Sequence, residues 1–428
     1  WPIVMDITHQ EQQPTGEEDK DGKPIMHTVN VTAPETVNSM VPIWQRAKTE
    51  VTDDECVAWY KETNRDQTDP AAVLRINAEG VVSYKALLFI PGKDIDNGIS
   101  GAAKKGVKLY CNGVLIMEDC DKLLHDYFEF ARGVVDSPDL SLNISREILQ
   151  HNRQLKVIGQ NLEKKIKAEL EKMMRDDRPK YETFWKNFGI HIKCGVCDEY
   201  GRFTDFLKDT SEDSMRSLKE YVDAMPESQK AIYYASADTV KHAMALPQCE
   251  EVRSRGYEIL YLDHPIDETV LQQLRMYEGK GFVNILTEDL GFQTDEEKKA
   301  AEEKVVENKE LLDFIRDSIG DEKLKQVTLS SKLVSSACCL TSTGGFTLEM
   351  EKYFRNGPSE EMRKLRADRV LELNGKHAAC LAIKKAYDDG DKDKAAALSK
   401  ILYAQSELIA GVEIEDPTAY ADLVCSLF

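Results

Sequence analysis

Leu155, Ile158, Leu162, Ile166 and Leu170 recur at steps of three, four, four and four residues, with Lys and Glu on the opposite side. That period defines a helix with one apolar stripe, and such a stripe has to be covered by another layer. Asp176-Asp177-Arg178-Pro179 stops it. The flanking text says which kind of layer. Upstream, Ala72 to Pro91 is strand-like: Val73-Leu74-Arg75-Ile76, a Glu79-Gly80 turn, Val81-Val82, then Leu87 to Ile90. Downstream, a second unit starts near Tyr181. Leu218 to Met225 and Asp238 to Ala245 read as helices, while Ala231 to Ala235, Glu258 to Leu262 and Phe282 to Ile285 read as strands. Alternating elements argue for α/β layers. Asp267-Glu268 is read as helix-start chemistry after Pro265, not as a general acid/base couple. The polar, turn-rich residues 10 to 25 predict a hairpin tip or a mobile loop.

A third unit opens at Thr294-Asp295-Glu296-Glu297, a capping box. The charged helix it starts carries Val305, Leu312, Ile315 and Ile319 on one side and stops at Gly320. Most of Glu296 to Glu310 has to be solvated. Lys325 to Leu329 and Cys338 to Thr341 are expected to pair as short strands, and helices fill the remainder. Asp416-Pro417 is a helix start, with a capping carboxylate and Pro at the first helical position. Tyr420, Leu423, Val424, Leu427 and Phe428 then form one stripe, and Leu398, Ile401, Leu402, Leu408 and Ile409 another. Packing within the chain would cover them, and so would a second copy, which is the favoured reading. The expected fold class is therefore α/β (α+β). Two layered α/β units, residues 1–180 and 181–293, are joined by helices and followed by a mainly helical part, residues 294–428.

A net charge of -20 argues against a nucleic-acid binder, which needs an excess of Lys and Arg. No apolar run approaches the ~18 residues of a membrane span. Among ten cysteines, Cys194/Cys197 and Cys338-Cys339 are close-set, but no second ligand pair accompanies them. Reduced, packed thiols in a cytoplasmic protein are favoured over metal or redox chemistry, and no metal site is expected. Phosphate-binding glycine loops, HExxH and GxSxG are all missing, so no self-sufficient enzyme site is legible. The sequons at Asn30 and Asn143 are weak signals. The chain opens Trp1-Pro2-Ile3 without an initiator Met and reads as a piece of a longer protein.

Ser141-Leu142-Asn143-Ile144-Ser145-Arg146-Glu147-Ile148-Leu149-Gln150 sets a fixed cation and an amide one helical turn apart, just after Asp136 and Asp139. A guanidinium beside amide donors suits phosphate oxygens, and a surface arginine on an amphipathic helix would look the same. The run resembles the catalytic-loop signature of the heat-shock protein 90 chaperone family. Pro42-Ile43-Trp44, Trp59-Tyr60-Lys61, Leu87 to Pro91, Gly106 to Tyr110, Phe184-Trp185, Ile232 to Tyr234, Gly256 to Tyr261 and Pro265 to Glu268 follow the family's order. So do Leu371 to Asn374 with His377. Departures exist: Cys111-Asn112-Gly113 stands where the family has Val-Arg-Arg, and Lys332-Leu333 with Cys338-Cys339 replaces a Leu…Pro-Ala stretch. The ending Cys425 to Phe428 lacks both the acidic tail of eukaryotic cytosolic members and the Lys-Asp-Glu-Leu signal, so the bacterial type is expected, with the mitochondrial type second.

The resemblance implies the middle and C-terminal parts of an ATP-dependent, stress-related chaperone. Arg146 would reach the γ-phosphate of ATP (with Mg2+) held by an N-terminal domain preceding this chain, and Gln150 would assist. ATPase activity is expected only of the full-length protein. Trp185, Phe346, Met350 and Phe354 are the implied contacts for non-native client proteins. Leu398, Ile401, Leu402, Leu408, Tyr420, Leu423, Val424 and Leu427 are implied at a homodimer interface. The runner-up reading is a nucleotide-independent dimeric scaffold.

Overall fold

The computed structural model describes residues 2–18, 24–37, 41–93, 106–140, 153–198, 208–210, 215–264, 266–355 and 359–426. The chain divides into two compact units, residues 1–188 and 189–428.

The first unit begins with β1 (Val4–Glu18) and β2 (Pro24–Thr36), an antiparallel ribbon in register from Val4↔Thr36 to Pro14↔Met26. Residues expected at a hairpin tip are thus largely in the ladder. Polar strands pair this way when backbone hydrogen bonds and cross-strand contacts such as Thr8–Thr32 (2.8 Å) support them. Helix α1 (Asp53–Asn64) starts on a capping box between Thr52 and Glu55. A mixed sheet follows: β3 (Ala72–Ala78), β4 (Tyr84–Ile90), β5 (Gly106–Cys111), β6 (Val114–Met117) and β7 (Arg132–Asp136), in the order β3-β4-β7-β5-β6. Only the β5/β7 pair is parallel. Leu87 to Ile90 are all buried, as a strand covered on both faces requires. Val81, read as part of a strand, lies in the β3–β4 turn and is 92% exposed. Behind β4, Trp59 stacks on Phe89 (5.8 Å between ring centres) and Trp44 packs on Tyr110 (4.8 Å). Gly133 of β7 adopts φ 135°, and a Cβ there would lie 2.1 Å from the Leu87 carbonyl oxygen. Helix α2 (Arg153–Asp176) buries Leu155, Ile158, Leu162, Ile166 and Leu170, as the spacing predicts, and α3 (Arg178–Asp198) begins after the expected break.

The second unit contains β8 (Lys208–Thr210), β9 (Met215–Ser217), α4 (Leu218–Ala224), β10 (Ile232–Ser236), α5 (Val240–Ala245), α6 (Cys249–Ser254), β11 (Ile259–Leu262), α7 (Ile266–Leu274), β12 (Met276–Tyr277) and β13 (Lys280–Asn284). Its strands form a sheet in the order β12-β13-β10-β11-β8-β9, with β10 parallel to both β11 and β13. The charged helix after the capping box is two helices, α8 (Asp295–Glu307) and α9 (Lys309–Ile319), because Asn308 leaves helical geometry (φ -100°, ψ 15°). Helix α8 buries nothing, whereas α9 buries Leu312 and Ile315 and ends on left-handed Gly320.

The remaining elements are β14 (Leu324–Leu329), β15 (Cys338–Thr343), α10 (Leu348–Arg355), α11 (Glu360–Arg363), β16 (Asp368–Leu373), α12 (Ala378–Asp388), α13 (Lys392–Ile409) and α14 (Pro417–Cys425). The expected pairing of the first two strands is wrong: the order is β14-β16-β15, and β16 lies between them. The reason is burial. Val370, Leu371 and Leu373 make β16 apolar enough to take the centre, with Leu371 fully enclosed beside Leu324, Val327 and Leu340. The α/β class holds throughout.

Candidate functional site

Arg146 and Gln150 lie outside the described residues, and the structure describes the two segments that flank residues 141–152. Asp136, closing β7, is buried and accepts from Trp44 Nε1 (3.1 Å), Gln45 Nε2 (2.7 Å) and the Gly113 amide (3.2 Å). Gly113 is available because Asn112 and Gly113 (φ 50° and 77°) make the two-residue turn between β5 and β6. The Cys-Asn-Gly departure is therefore a tight turn that clamps Asp136. Ser137 Oγ donates to the Ser83 carbonyl (2.7 Å), and Asp139 accepts from the Ser83 amide (2.6 Å). On the outgoing side, Gln154 of α2 donates to the Asp139 carbonyl (2.9 Å). Both carboxylates of the acidic stretch are thus spent on fixing the stem from which residues 141–152 emerge.

The expected client contacts fall into two classes. Gly344 and Gly345 (φ 83° and 78°) turn the chain into α10, where Phe346 stacks on Phe354 (6.0 Å) and Met350 is half-buried. Tyr353 beside them is exposed. Trp185 is different. It is buried on the face of α3 that carries Tyr181, against which it stacks at 6.4 Å, so its ring is not offered to solvent.

The terminal helices divide in the same way. Ile401 and Leu402, expected at a dimer contact, are buried within their own chain, Leu402 in the core with Leu312, Leu340 and Leu371. Leu398 is half-buried against that core. Leu408 is 53% exposed, and Tyr420, Leu423 and Val424 on α14 are half-buried. Asp416 caps α14 through the Ala419 amide (2.9 Å), as its sequence predicts. Leu427 lies outside the described residues.

Sequence reading missed a buried arginine. Arg369 of β16 is 1% exposed and reaches Glu407 of α13 (2.7 Å), Tyr403 (3.1 Å), Asp321 (3.5 Å) and Glu351 of α10 (3.5 Å). Tyr403 in turn donates to Asp321 (2.7 Å). Burial pushes the Glu407 carboxyl up, against the pull of Arg369. The only signal was an arginine inside the apolar strand Asp-Arg-Val-Leu-Glu-Leu.

Asp267 and Glu268 are likewise more than a helix start. Both are buried, Asp267 in an ion pair with Lys193 (2.5 Å) and Glu268 accepting from Thr347 Oγ1 (2.7 Å) and Asn284 Nδ2 (3.2 Å). Within the second unit, Glu250 accepts from the Val334 and Ser335 amides (3.1 and 2.8 Å) and the Ser335 and Ser336 hydroxyls (both 2.8 Å).

Cys194 and Cys197 sit half-buried on α3, and Cys338 and Cys339 are buried. Burial pushes the Cys338 thiol up to about 12 and Cys339 well above its usual value, so both stay protonated. Among the described residues no cluster of three or more His, Cys, Asp or Glu could hold a metal ion, and no helix is long and apolar enough to cross a membrane.

The chain is thus a layered α/β protein with braced segments on either side of residues 141–152 and a small three-stranded sheet in its last part. The Hsp90 protein family model matches residues 5–428, and the chain belongs to that family. It is 40% identical over 433 residues to the chaperone protein HtpG of Bacillus subtilis (strain 168), covering 100% of this chain and 67% of the relative. It is 41% identical to the chaperone protein HtpG of Clostridium perfringens (strain 13 / Type A) and 39% to that of Alkaliphilus oremlandii, with the same coverage. The chain thus spans about two thirds of the length of these bacterial relatives.

Proposed function

We propose that this chain is the client-handling and loop-bearing part of an ATP-dependent chaperone that works as a homodimer in the cytoplasm. Family membership and the names of the relatives support the chaperone role. The observation that carries the finer reading is the braced stem. Asp136, Ser137, Asp139 and Gln154 spend their hydrogen bonds on fixing both ends of residues 141–152, which suits a loop that must present one side chain accurately. By residue type, Arg146 and Gln150 fit phosphate oxygens: a fixed fork of donors and a neutral amide. ATP with Mg2+ would supply the phosphoryl group whose hydrolysis resets the molecule. Arg146 neutralises charge developing on that group, and Gln150 holds the loop or a phosphate oxygen. Phe346, Met350 and Phe354, with Tyr353, supply an adaptable apolar face for non-native chains. Leu408 and the α14 residues Tyr420, Leu423 and Val424 supply the contact with a second copy.

The test is steady-state ATP hydrolysis by the full-length protein and its Arg146→Ala variant, with nucleotide affinity measured in parallel. A loss of roughly 10³-fold in turnover, the scale of an arginine that stabilises phosphoryl transfer, with affinity nearly unchanged is expected. Turnover indifferent to Arg146 would refute the reading and leave a nucleotide-independent dimeric scaffold in its place.

A further inference from the structure

Within the second unit, a small, partly open cavity lies between the end of β10, α7 and the end of β13 on one side and β15 and the start of α10 on the other. Its volume is about 20 Å³, room for one occupant the size of a water molecule. Glu268, Gln248, Ser236, Asn284, Thr347 and Glu349, all with side-chain oxygens, are among the residues that line it.

Charge decides what such a space takes. Glu268 is 2% exposed, and the groups around it that can donate, the Thr347 and Ser236 hydroxyls and the Asn284 amide, are all neutral. The neighbouring lysine, Lys193, is already spent on Asp267. Glu349 also lines the space, but Lys352 pairs with it and cancels its charge. One uncompensated carboxylate therefore faces a low-dielectric seam, which has to acquire a cation or a proton. Asn284 and Thr347 donate to Glu268, Asn284 through Nδ2 and Thr347 through a hydroxyl whose oxygen already accepts from the Met350 amide (3.1 Å). Burial pushes the Glu268 carboxyl up, and the donors at both oxygens pull it back toward the ionised form. Gln248, 3% exposed, spends its Nε2 on the Leu340 carbonyl (3.2 Å), and its carbonyl oxygen Oε1 has no hydrogen-bond partner. A proton on Glu268 would leave that second acceptor unmet. An occupant attracted by both oxygens meets both needs.

The geometry points to a binding site for a single dehydrated monovalent cation of the potassium class, held by the Glu268 carboxylate, the Gln248 carbonyl and neighbouring hydroxyl oxygens. One net negative charge matches one positive charge, and a divalent ion would need a second free carboxylate. Neutral oxygen ligands in a space of water size are those that replace the hydration shell of potassium. Because Thr347 leads directly into α10, the ion ties α7 and β13 to the segment that carries Phe346 and Met350.

The test is thermal unfolding of the full chain in potassium chloride against choline chloride at equal ionic strength, near 0.15 M, where general screening is the same. The wild type is expected to melt roughly 2 °C or more higher in potassium, as binding to the folded state alone requires. That difference should vanish in Glu268→Gln and largely vanish in Gln248→Met. Should Glu268→Gln fail to fold, thallium-ion NMR on the wild type replaces it, with a bound thallous signal displaced by potassium as the expected result. Equal melting in both salts, or no bound thallous signal, overturns the proposal. So does a midpoint that rises with falling pH regardless of the cation, since the occupant is then a proton.

Discussion

Replacing Arg369 with Met removes the cation that pairs directly with Glu407 (2.7 Å) and leaves it only the more distant charge of Lys323. Glu351 keeps Arg355 (3.5 Å) and the Ala367 amide (2.8 Å). Asp321 keeps the Tyr403 hydroxyl (2.7 Å) and the Lys323 amide (2.8 Å), and is exposed enough to be hydrated. Glu407 is left buried without a directly paired cation. Breaking a buried pair from one side costs about 3–5 kcal/mol. Protonation caps that cost, because forcing a proton onto a carboxyl costs about 1.36 kcal/mol for each pH unit above its ordinary value of 4.5. The expected loss of stability is therefore about 3 kcal/mol at pH 7 and about 1 kcal/mol at pH 5.5. The sign follows from a carboxyl raised in the folded state: it binds more protons folded than unfolded, so stability falls as pH rises. Urea unfolding followed by far-ultraviolet circular dichroism at the two pH values measures it. Trp1, Trp44, Trp59 and Trp185 all precede residue 189, so tryptophan fluorescence reports on the first unit while circular dichroism reports on both. Adding Glu407→Gln should remove the pH dependence. A deficit that is the same at both pH values, or below about 1 kcal/mol at pH 7, would refute the reasoning.

Gly133→Ala places a methyl 2.1 Å from the Leu87 carbonyl at a positive φ, so the central strand pair must separate. A loss of about 4 kcal/mol or more is expected, read as collapse of the cooperative tryptophan-fluorescence transition. Burial alone would raise the Glu250 carboxyl, but hydrogen bonds from Ser335, Ser336 and Val334 outweigh it and hold the group below its usual range. Its contribution is therefore present above about pH 4.5 and lost as pH falls through its folded value. Glu250→Gln should cost about 1–2 kcal/mol at pH 7 in urea unfolding and converge with the wild type in acid.

Local chemistry was legible and long-range partnership was not. The α2 stripe, the Thr294 capping box, the stop at Gly320 and the Asp416 cap are each written within a few residues, and each stands where its pattern places it. The long charged helix hid its break because Asn308 carries no strong signal on its own. Strand β16 was missed as the centre of its sheet because pairing depends on residues about forty positions away, which no local period encodes. The same holds for Arg369, Glu268 and Glu250, ordinary surface residue types whose partners come from distant segments. At the site itself, the acidic pair before the loop was visible, but its task was not. Asp136 and Asp139 are taken up by Trp44, Gln45 and Ser83, and that followed only from the fold.

The strand order β14-β16-β15 also sets a timetable for the nascent chain. Both flanking strands leave the ribosome before the strand that joins them, and at ~5–20 residues per second the wait from Thr343 to Leu373 is on the order of seconds. During that interval each presents an unsatisfied edge, and the buried cysteines of β15 are open to solvent and oxidants. A member of a chaperone family would thus pass through a vulnerable stage of exposed strand edges during its own synthesis.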